Sequence, residues 1–161
     1  MPRHTSPAAG IGLPIADPVP RPPILRHPPP DELPEQYGMV CVGDCMTPLV
    51  PDGTTLAFDK SAPYAAGDLV VFYRRLDLVD PGRAQGLVKR LFMGPPPSIR
   101  FPFRNGPWSD CAPLVIFEML NPRRQLFVPC SDIVAMHKCI GQVDEHGHLA
   151  PLPGLEVAHG D

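Results

Sequence analysis

The sequence lacks any apolar run that approaches the roughly 20 residues of a membrane-spanning helix. The amino terminus also lacks the apolar core that is typical of a secretory signal peptide. The five cysteines are an odd number without the paired spacing of a zinc site, which favours reduced thiols in the cytosol. We therefore expect a cytoplasmic protein with no membrane association, no bound metal and no cofactor.

Positive charge is not concentrated in any one stretch of the chain. The 14 Lys and Arg residues are outnumbered by 17 Asp and Glu, and the formal net charge is −3. A DNA-binding domain normally carries a basic patch, and no helix-turn-helix pattern precedes the apolar segments. We therefore expect no direct DNA binding.

Proline, in contrast, is abundant: 25 of the 161 residues are proline, which disfavours long helices. Much of it lies in residues 1–36, in runs such as those at 18–23 and 28–30. These runs favour extended polyproline conformations and form no helix or sheet ladder. The composition predicts a flexible Pro-rich arm over residues 1–36. A ligand for proline-recognising domains is an alternative role for the same arm.

From residue 37 onward the pattern changes to short apolar runs separated by Gly and Pro. This pattern predicts a mainly β domain of folded-over sheets over residues 37–143, followed by a mobile tail over 144–161. The continuously apolar residues 69–73 indicate a strand that is buried on both faces. Residues 98–103 are also expected to form a strand, and residues 114–120 fit either a strand or a short helix.

One stretch, residues 43–53, combines features that suit a reactive side chain. Gly43 and Asp44 end an apolar run, so Cys45 falls at a strand-to-turn junction where its thiol can be presented to a substrate. A thiol in such a position is a candidate nucleophile. The alternative is a small buried hydrophobic residue, the commoner role of a free cysteine.

Four short motifs follow one another along the chain: GDCMTP at 43–48, PDG at 51–53, GDLVV at 67–71 and VKRL at 88–91. In this order they resemble the LexA-type self-cleaving peptidases, which include UmuD-like proteins of the SOS response and share a fold with bacterial signal peptidases. The resemblance covers residues 37–143. It implies Cys45 as nucleophile, in place of the family's usual Ser, Lys89 as the lysine base, and a homodimer.

The residues themselves offer a reason for Lys89 to act as a base. A lysine serves as base only when it is neutral, which requires that it be shielded from water. In a strand, Lys89 shares one face with Leu87 and Leu91, whereas Arg90 takes the other face. Apolar neighbours would then desolvate the amine, although a lysine reaching from a sheet edge into water fits the same pattern.

The resemblance also implies a substrate within the chain. LexA-type proteins cut their own linker some three dozen residues before the nucleophile, and the Ala9-Gly10 bond lies 36 positions before Cys45. The backbone N–H of Cys45 would be the oxyanion donor in such a reaction. The predicted function is therefore a peptidase that processes its own amino-terminal arm. The alternative is an inactive family member that acts as a protein-interaction or regulatory module.

Histidines near the carboxyl terminus do not form a metal site by spacing. His137 and Cys139 on one side, and His146 and His148 on the other, have no second Cys/His pair at zinc spacing. We interpret them as surface residues.

Overall fold

The computed structural model describes residues 28–103 and 113–155, and these residues are mainly β. They form an eight-stranded antiparallel sheet and two single-turn 3₁₀ helices, at Leu76–Leu78 and Cys130–Asp132. No helix in this part of the chain is long and apolar enough to cross a membrane. The strands β1 to β8 span Gln36–Val40, Thr55–Asp59, Leu69–Arg74, Gly86–Met93, Leu114–Leu120, Arg123–Pro129, Ile133–Val143 and Leu149–Ala150.

The long strand β7 joins the two halves of the sheet. The strand order is β1-β2-β7-β3-β4-β5-β6, and β8 pairs with the end of β7. The first part of β7, up to Lys138, pairs with β3, and the part from Lys138 to Gln142 pairs with β2. One 11-residue strand therefore contributes to both halves, which allows the sheet to fold over a core.

Strand β3 lies between two hydrophobic clusters, as its continuous apolar sequence predicted. Leu69, Val71 and Tyr73 belong to the first cluster, whereas Val70 and Phe72 belong to the second. Side chains alternate across a strand, so a strand covered on both faces needs apolar residues at every position. The first cluster also packs against the turn that carries Cys45.

The packed part of the chain extends beyond the predicted limits of 37–143 on both sides. Leu33, within the predicted arm, is buried in the first cluster, and Lys60 Nζ donates to its carbonyl oxygen at 2.9 Å. Leu152, within the predicted tail, is buried in the same cluster. Both are isolated leucines among prolines, which composition alone assigns to unpacked segments. The rest of the arm and tail, residues 1–27 and 156–161, lies outside the described residues.

Two further expectations were wrong. Residues 98–103 form turns rather than a strand, and the Ile99 N–H donates to the Pro96 carbonyl at 2.9 Å. His137 and Cys139 are buried rather than on the surface, with 6% and 2% exposure. The physical reason is that these alternate residues of β7 face the first cluster: Cys139 belongs to it, and His137 Nδ1 lies 2.7 Å from the hydroxyl of Tyr37 in it. Residues 114–120 form a strand, which decides between the two predicted alternatives.

A buried polar network crosses the first cluster. The Tyr37 hydroxyl lies 2.8 Å from the Tyr73 hydroxyl and 2.7 Å from His137 Nδ1. Burial lowers the pKa of His137 to about 4 and raises the pKa of both tyrosines above its usual range. The three side chains are therefore neutral near pH 7 and satisfy one another's hydrogen bonds in the core.

Candidate functional site

Cys45 lies in the long connection between β1 and β2, which is closed at its base by backbone hydrogen bonds. The Cys41 N–H donates to the Thr54 carbonyl at 2.8 Å, so the chain between them forms a self-contained loop. Within it, Met46 and Val50 are 3% and 2% exposed and anchor the loop in the first cluster. Cys45 itself is only partly buried. The apolar anchors thus hold the thiol at the edge of the core.

Gly43 and Asp52 shape the approach to this thiol. The Gly43 N–H donates to Asp52 Oδ1 at 2.7 Å, which ties the start of the loop to its end. Gly43 has a φ of 103°, a conformation that residues with a Cβ rarely adopt. The GD pair of the first motif therefore reverses the chain immediately before Cys45.

Lys89 meets Cys45 across 44 residues of sequence. Its Nζ donates to Cys45 Sγ at 3.0 Å and to the Val88 carbonyl oxygen at 2.9 Å. Lys89 is 5% exposed, whereas the residue Cys45 beside it is partly exposed. An amine at this distance can accept the thiol proton or, as an ammonium, stabilise the thiolate.

Two clusters contribute to the surroundings of Lys89. Its strand-mates Leu87 and Leu91 belong to or pack against the second cluster, and its cross-strand partner is Val70 of the same cluster. Cys45, however, packs against the first cluster. Lys89 thus shares a strand face with Leu87 and Leu91, as predicted, and its side chain extends to a thiol that packs against the first cluster.

The β5–β6 hairpin holds the backbone of the candidate nucleophile. The N–H groups of Leu120 and Asn121 both donate to the Cys45 carbonyl oxygen at 3.0 Å. Asn121 Nδ2 also lies 3.4 Å from Asp44 Oδ2. Since two N–H groups at the end of β5 bind this carbonyl oxygen, the position of that strand end determines the orientation of the Cys45 peptide unit.

A buried carboxylate ties this hairpin to the strand that carries Lys89. Glu118 Oε2 accepts from Arg90 Nη2 at 2.8 Å and from Arg90 Nε at 3.0 Å, and its Oε1 accepts from Arg123 Nε at 3.1 Å. The hydrogen bonds from Arg90 lower the pKa of the Glu118 carboxyl, and those from Arg123 add to the effect. The carboxylate therefore stays ionised and links β4, β5 and β6.

Two other thiols share the first cluster with Cys45. Burial raises the pKa of Cys41 to about 12 and that of Cys139 to about 11. Electrostatic interaction with the neighbouring thiols of Cys139 and Cys45 also raises the pKa of Cys41, whereas the interaction with Lys89 lowers it. Near pH 7 both residues are protonated, so they behave as core residues and not as nucleophiles.

The structure brings together Cys45 and Lys89, two of the residues predicted to form the site. Ala9 and Gly10, the predicted cleavage site, lie outside the described residues. In residues 28–103 and 113–155 no group of three or more His, Cys, Asp or Glu side chains could hold a metal ion. The sequence reasoning missed the backbone donors of Leu120 and Asn121 because hydrogen bonds between distant main-chain groups leave no residue signature.

Comparisons with protein-family models, curated proteins and solved structures found no match to this chain. Fold and site together define a class, a mainly β protein in which a loop thiol contacts a buried lysine. Membership of the LexA-type family stays a prediction from the motifs.

Proposed function

We propose that this chain is a LexA- or UmuD-like peptidase that uses Cys45 as nucleophile and Lys89 as general base. The observation that carries the proposal is the 3.0 Å contact between Lys89 Nζ and Cys45 Sγ, made by a lysine that is 5% exposed. Catalytic pairs of this kind require a nucleophile and a base within hydrogen-bonding distance. The resemblance of the four motifs supports a LexA/signal-peptidase-like arrangement of the sheets.

The proposed reaction is acyl transfer through a thioester. Lys89 takes the proton of the Cys45 thiol, and the sulfur attacks the carbonyl carbon of the scissile peptide bond. The resulting ammonium then gives its proton to the leaving amine, and water attacks the thioester with Lys89 again acting as base. Each proton taken by Lys89 is returned within one turnover.

The backbone of Cys45 supports the same reaction. In the described part of the chain its N–H makes no hydrogen bond, so it can donate to the developing oxyanion. Its carbonyl oxygen is held by the N–H groups of Leu120 and Asn121, which restricts rotation of the Cys45 backbone. A donor that is oriented before the reaction stabilises the transition state more effectively than a free one.

The proposed substrate is the chain's own arm, cut at the Ala9-Gly10 bond. The test is to incubate the purified full-length protein at mildly alkaline pH and to measure its intact mass over time. We expect loss of residues 1–9 in the wild type and no loss in Cys45→Ala or Lys89→Met. Cys41→Ala is the matched control, since it removes a neighbouring thiol of the same cluster. An unclipped wild type, or clipping that persists in Cys45→Ala, would contradict self-processing.

Thiol labelling tests the dyad independently of any substrate. A thiol-reactive alkylating probe should modify Cys45 faster than the other four cysteines, because Lys89 stabilises its thiolate. The preference should disappear in Lys89→Ala. Equal labelling of all five thiols would favour a non-catalytic protein.

A second candidate function, a protein-interaction module, is favoured by an apolar row on the outer sheet face. Met93, Ile116 and Phe127 are cross-strand neighbours on β4, β5 and β6, and Met93 and Phe127 are 54% and 60% exposed. Apolar side chains grouped in this way are typical of association surfaces. A homodimer through this row should dissociate in Phe127→Ser but not in Leu76→Ser, as measured by light scattering. A monomeric wild type would exclude this homodimer.

A further inference from the structure

The contact between Cys45 and Lys89 has a chemical capacity that a peptidase does not use. Cys45 is a partly exposed residue, so a small oxidant can approach it, whereas Lys89 is a buried residue whose Nζ lies 3.0 Å from Sγ. An oxidised sulfur at this position is electrophilic, and the Lys89 amine, a nucleophile when neutral, already contacts it.

We propose that a hydroperoxide converts the Cys45–Lys89 pair into a covalent sulfur–nitrogen bond, a sulfenamide, which blocks the site until a thiol reduces it. The inference deepens the proposed function, because it concerns regulation of the same two residues. It depends on their contact, and its formation can be measured without any peptidase turnover.

The first step is oxidation of the sulfur. The Cys45 thiolate attacks one oxygen of the hydroperoxide, the O–O bond breaks, and the sulfur loses two electrons to form a sulfenic acid. The departing alkoxide or hydroxide takes up a proton and leaves as an alcohol or water. The ammonium form of Lys89 assists this step, because it stabilises the attacking thiolate at 3.0 Å.

The second step is capture by Lys89. Sulfenic acids condense with nitrogen or with thiols, so the outcome depends on which group lies within reach. The alkoxide or hydroxide released in the first step takes its proton from the Lys89 ammonium, which leaves the amine neutral. The neutral amine attacks the sulfur, an S–N bond forms, and hydroxide leaves and is protonated to water.

The competing captor is Cys41, which would form a disulfide with Cys45. It packs against the same cluster as Cys45, but burial raises the pKa of its thiol to about 12. The thiolate is the form that attacks sulfur, and little of it exists at neutral pH. Lys89, which already contacts Sγ, is therefore the favoured partner.

Reduction restores the pair. A thiol attacks the sulfur of the S–N bond and releases the Lys89 amine. A second thiol then attacks the mixed disulfide and releases Cys45, so that two thiols are oxidised to one disulfide. The S–N bond, which we call the redox lock, therefore forms or breaks according to the ratio of hydroperoxides to thiols.

The test is a peptide map of the full-length protein after treatment with equimolar hydrogen peroxide. We expect the intact mass to fall by two hydrogen atoms and to recover with dithiothreitol. Trypsin should no longer cut after Lys89, and the peptide of residues 27–60, which contains Cys45, should be joined to that of residues 84–90. Self-processing, where present, should be lost and regained together with this link.

Two variants distinguish reaction of the oxidised sulfur with Lys89 from its reaction with Cys41. Lys89→Arg keeps the positive charge but removes the nucleophilic amine, so it should stop at the sulfenic acid, which dimedone traps. Cys41→Ala is the matched control and should form the link as the wild type does. The wild-type map decides the matter even if Lys89→Arg does not fold, since it identifies the bonded residues directly.

Three results would overturn the proposal. One is a disulfide between Cys41 and Cys45, which loses the same two hydrogens but stays within the single tryptic peptide of residues 27–60. Another is oxygen addition at Cys45 without a link, and the third is no oxidation at Cys45. A link in a protein that never cuts its arm would support the redox lock while contradicting the peptidase, so the two failures are distinguishable.

Discussion

The guanidinium group of Arg90 binds the carboxylate of Glu118 through two hydrogen bonds, of 2.8 and 3.0 Å. Arg90 follows the candidate base Lys89 in β4, and Glu118 lies in β5 two residues before the first backbone donor to Cys45. Arg90 and Glu118 are also the first cross-strand pair between these strands. The pair therefore fixes the distance between the part of the sheet that carries the base and the part that holds the nucleophile.

Removing the charge of Glu118 should destabilise the protein. Glu118→Gln loses charge-assisted bonds to Arg90 and Arg123, and we expect the free energy of unfolding to fall by about 1 to 3 kcal/mol. Urea denaturation measures the change. Asp77→Asn is the matched control, since it breaks the exposed Arg75–Asp77 pair and should change stability by less than about 1 kcal/mol. Equal losses in the two variants would contradict a structural role for Glu118.

Stability should fall as the pH is lowered from about 6.5 toward 4. Burial lowers the pKa of His137 to about 4, so below pH 6.5 the unfolded chain binds a proton that the folded protein does not. The unfolded state is then favoured, and stability is lost on acidification. Between pH 7 and pH 5 the wild type should lose about 2 kcal/mol more than His137→Gln.

Urea denaturation at the two pH values measures this difference. His146→Gln serves as the control, because His146 is exposed and its replacement should leave the pH dependence of the wild type intact. A His137→Gln protein with the same pH dependence as the wild type would show that burial of His137 is not responsible.

The hydroxyl of Tyr37 should contribute more to the free energy of unfolding than the hydroxyl of Tyr64. Tyr37→Phe leaves the Tyr73 hydroxyl and His137 Nδ1 without this partner in the core, and we expect a loss of about 1 to 3 kcal/mol. Tyr64→Phe should lose less than about 0.5 kcal/mol, because the Tyr64 hydroxyl makes no hydrogen bond among the described residues. Thermal unfolding followed by circular dichroism compares them, and a larger loss in Tyr64→Phe would be inconsistent with the network.

Replacing Gly43, at the start of the turn before Cys45, should destabilise the protein. Gly43→Ala places a Cβ on a residue with φ of 103°, and we expect a loss of about 1 to 2 kcal/mol from backbone strain, since the added Cβ meets nothing within 4 Å. Gly94→Ala, where the Cβ makes an ordinary 3.5 Å contact with Leu91, should be close to neutral. Urea denaturation of both variants tests this, and a neutral Gly43→Ala would show that the turn relaxes without cost.

Local patterns predicted much of the sheet but not its ends. The apolar run at residues 69–73 predicted a strand with both faces covered, because only a doubly buried strand has apolar residues at every position. The burial of Leu33 and Leu152 was not predictable, since a single leucine among prolines has no periodicity to reveal what it packs against.

The candidate site was identified partly from sequence patterns and partly from the folded structure. Strand alternation alone placed Lys89 on a face with Leu87 and Leu91, and the motif order indicated Cys45 as its partner through resemblance. Neither observation gives a distance between residues that are 44 positions apart. That distance follows from the folding of the loop against the first cluster and from the hydrogen bonds of the β5–β6 hairpin.

Residue patterns alone predict that this protein is rich in β-strands and that a cysteine follows a chain reversal. These are local properties, governed by side-chain alternation and by the backbone preferences of Gly, Pro and Asp. The contact between Lys89 Nζ and Cys45 Sγ, and the link that Glu118 makes between β4 and the β5–β6 hairpin, are visible only in the folded chain. Such contacts join distant segments, and they arise only when the strands pair and the two cores close.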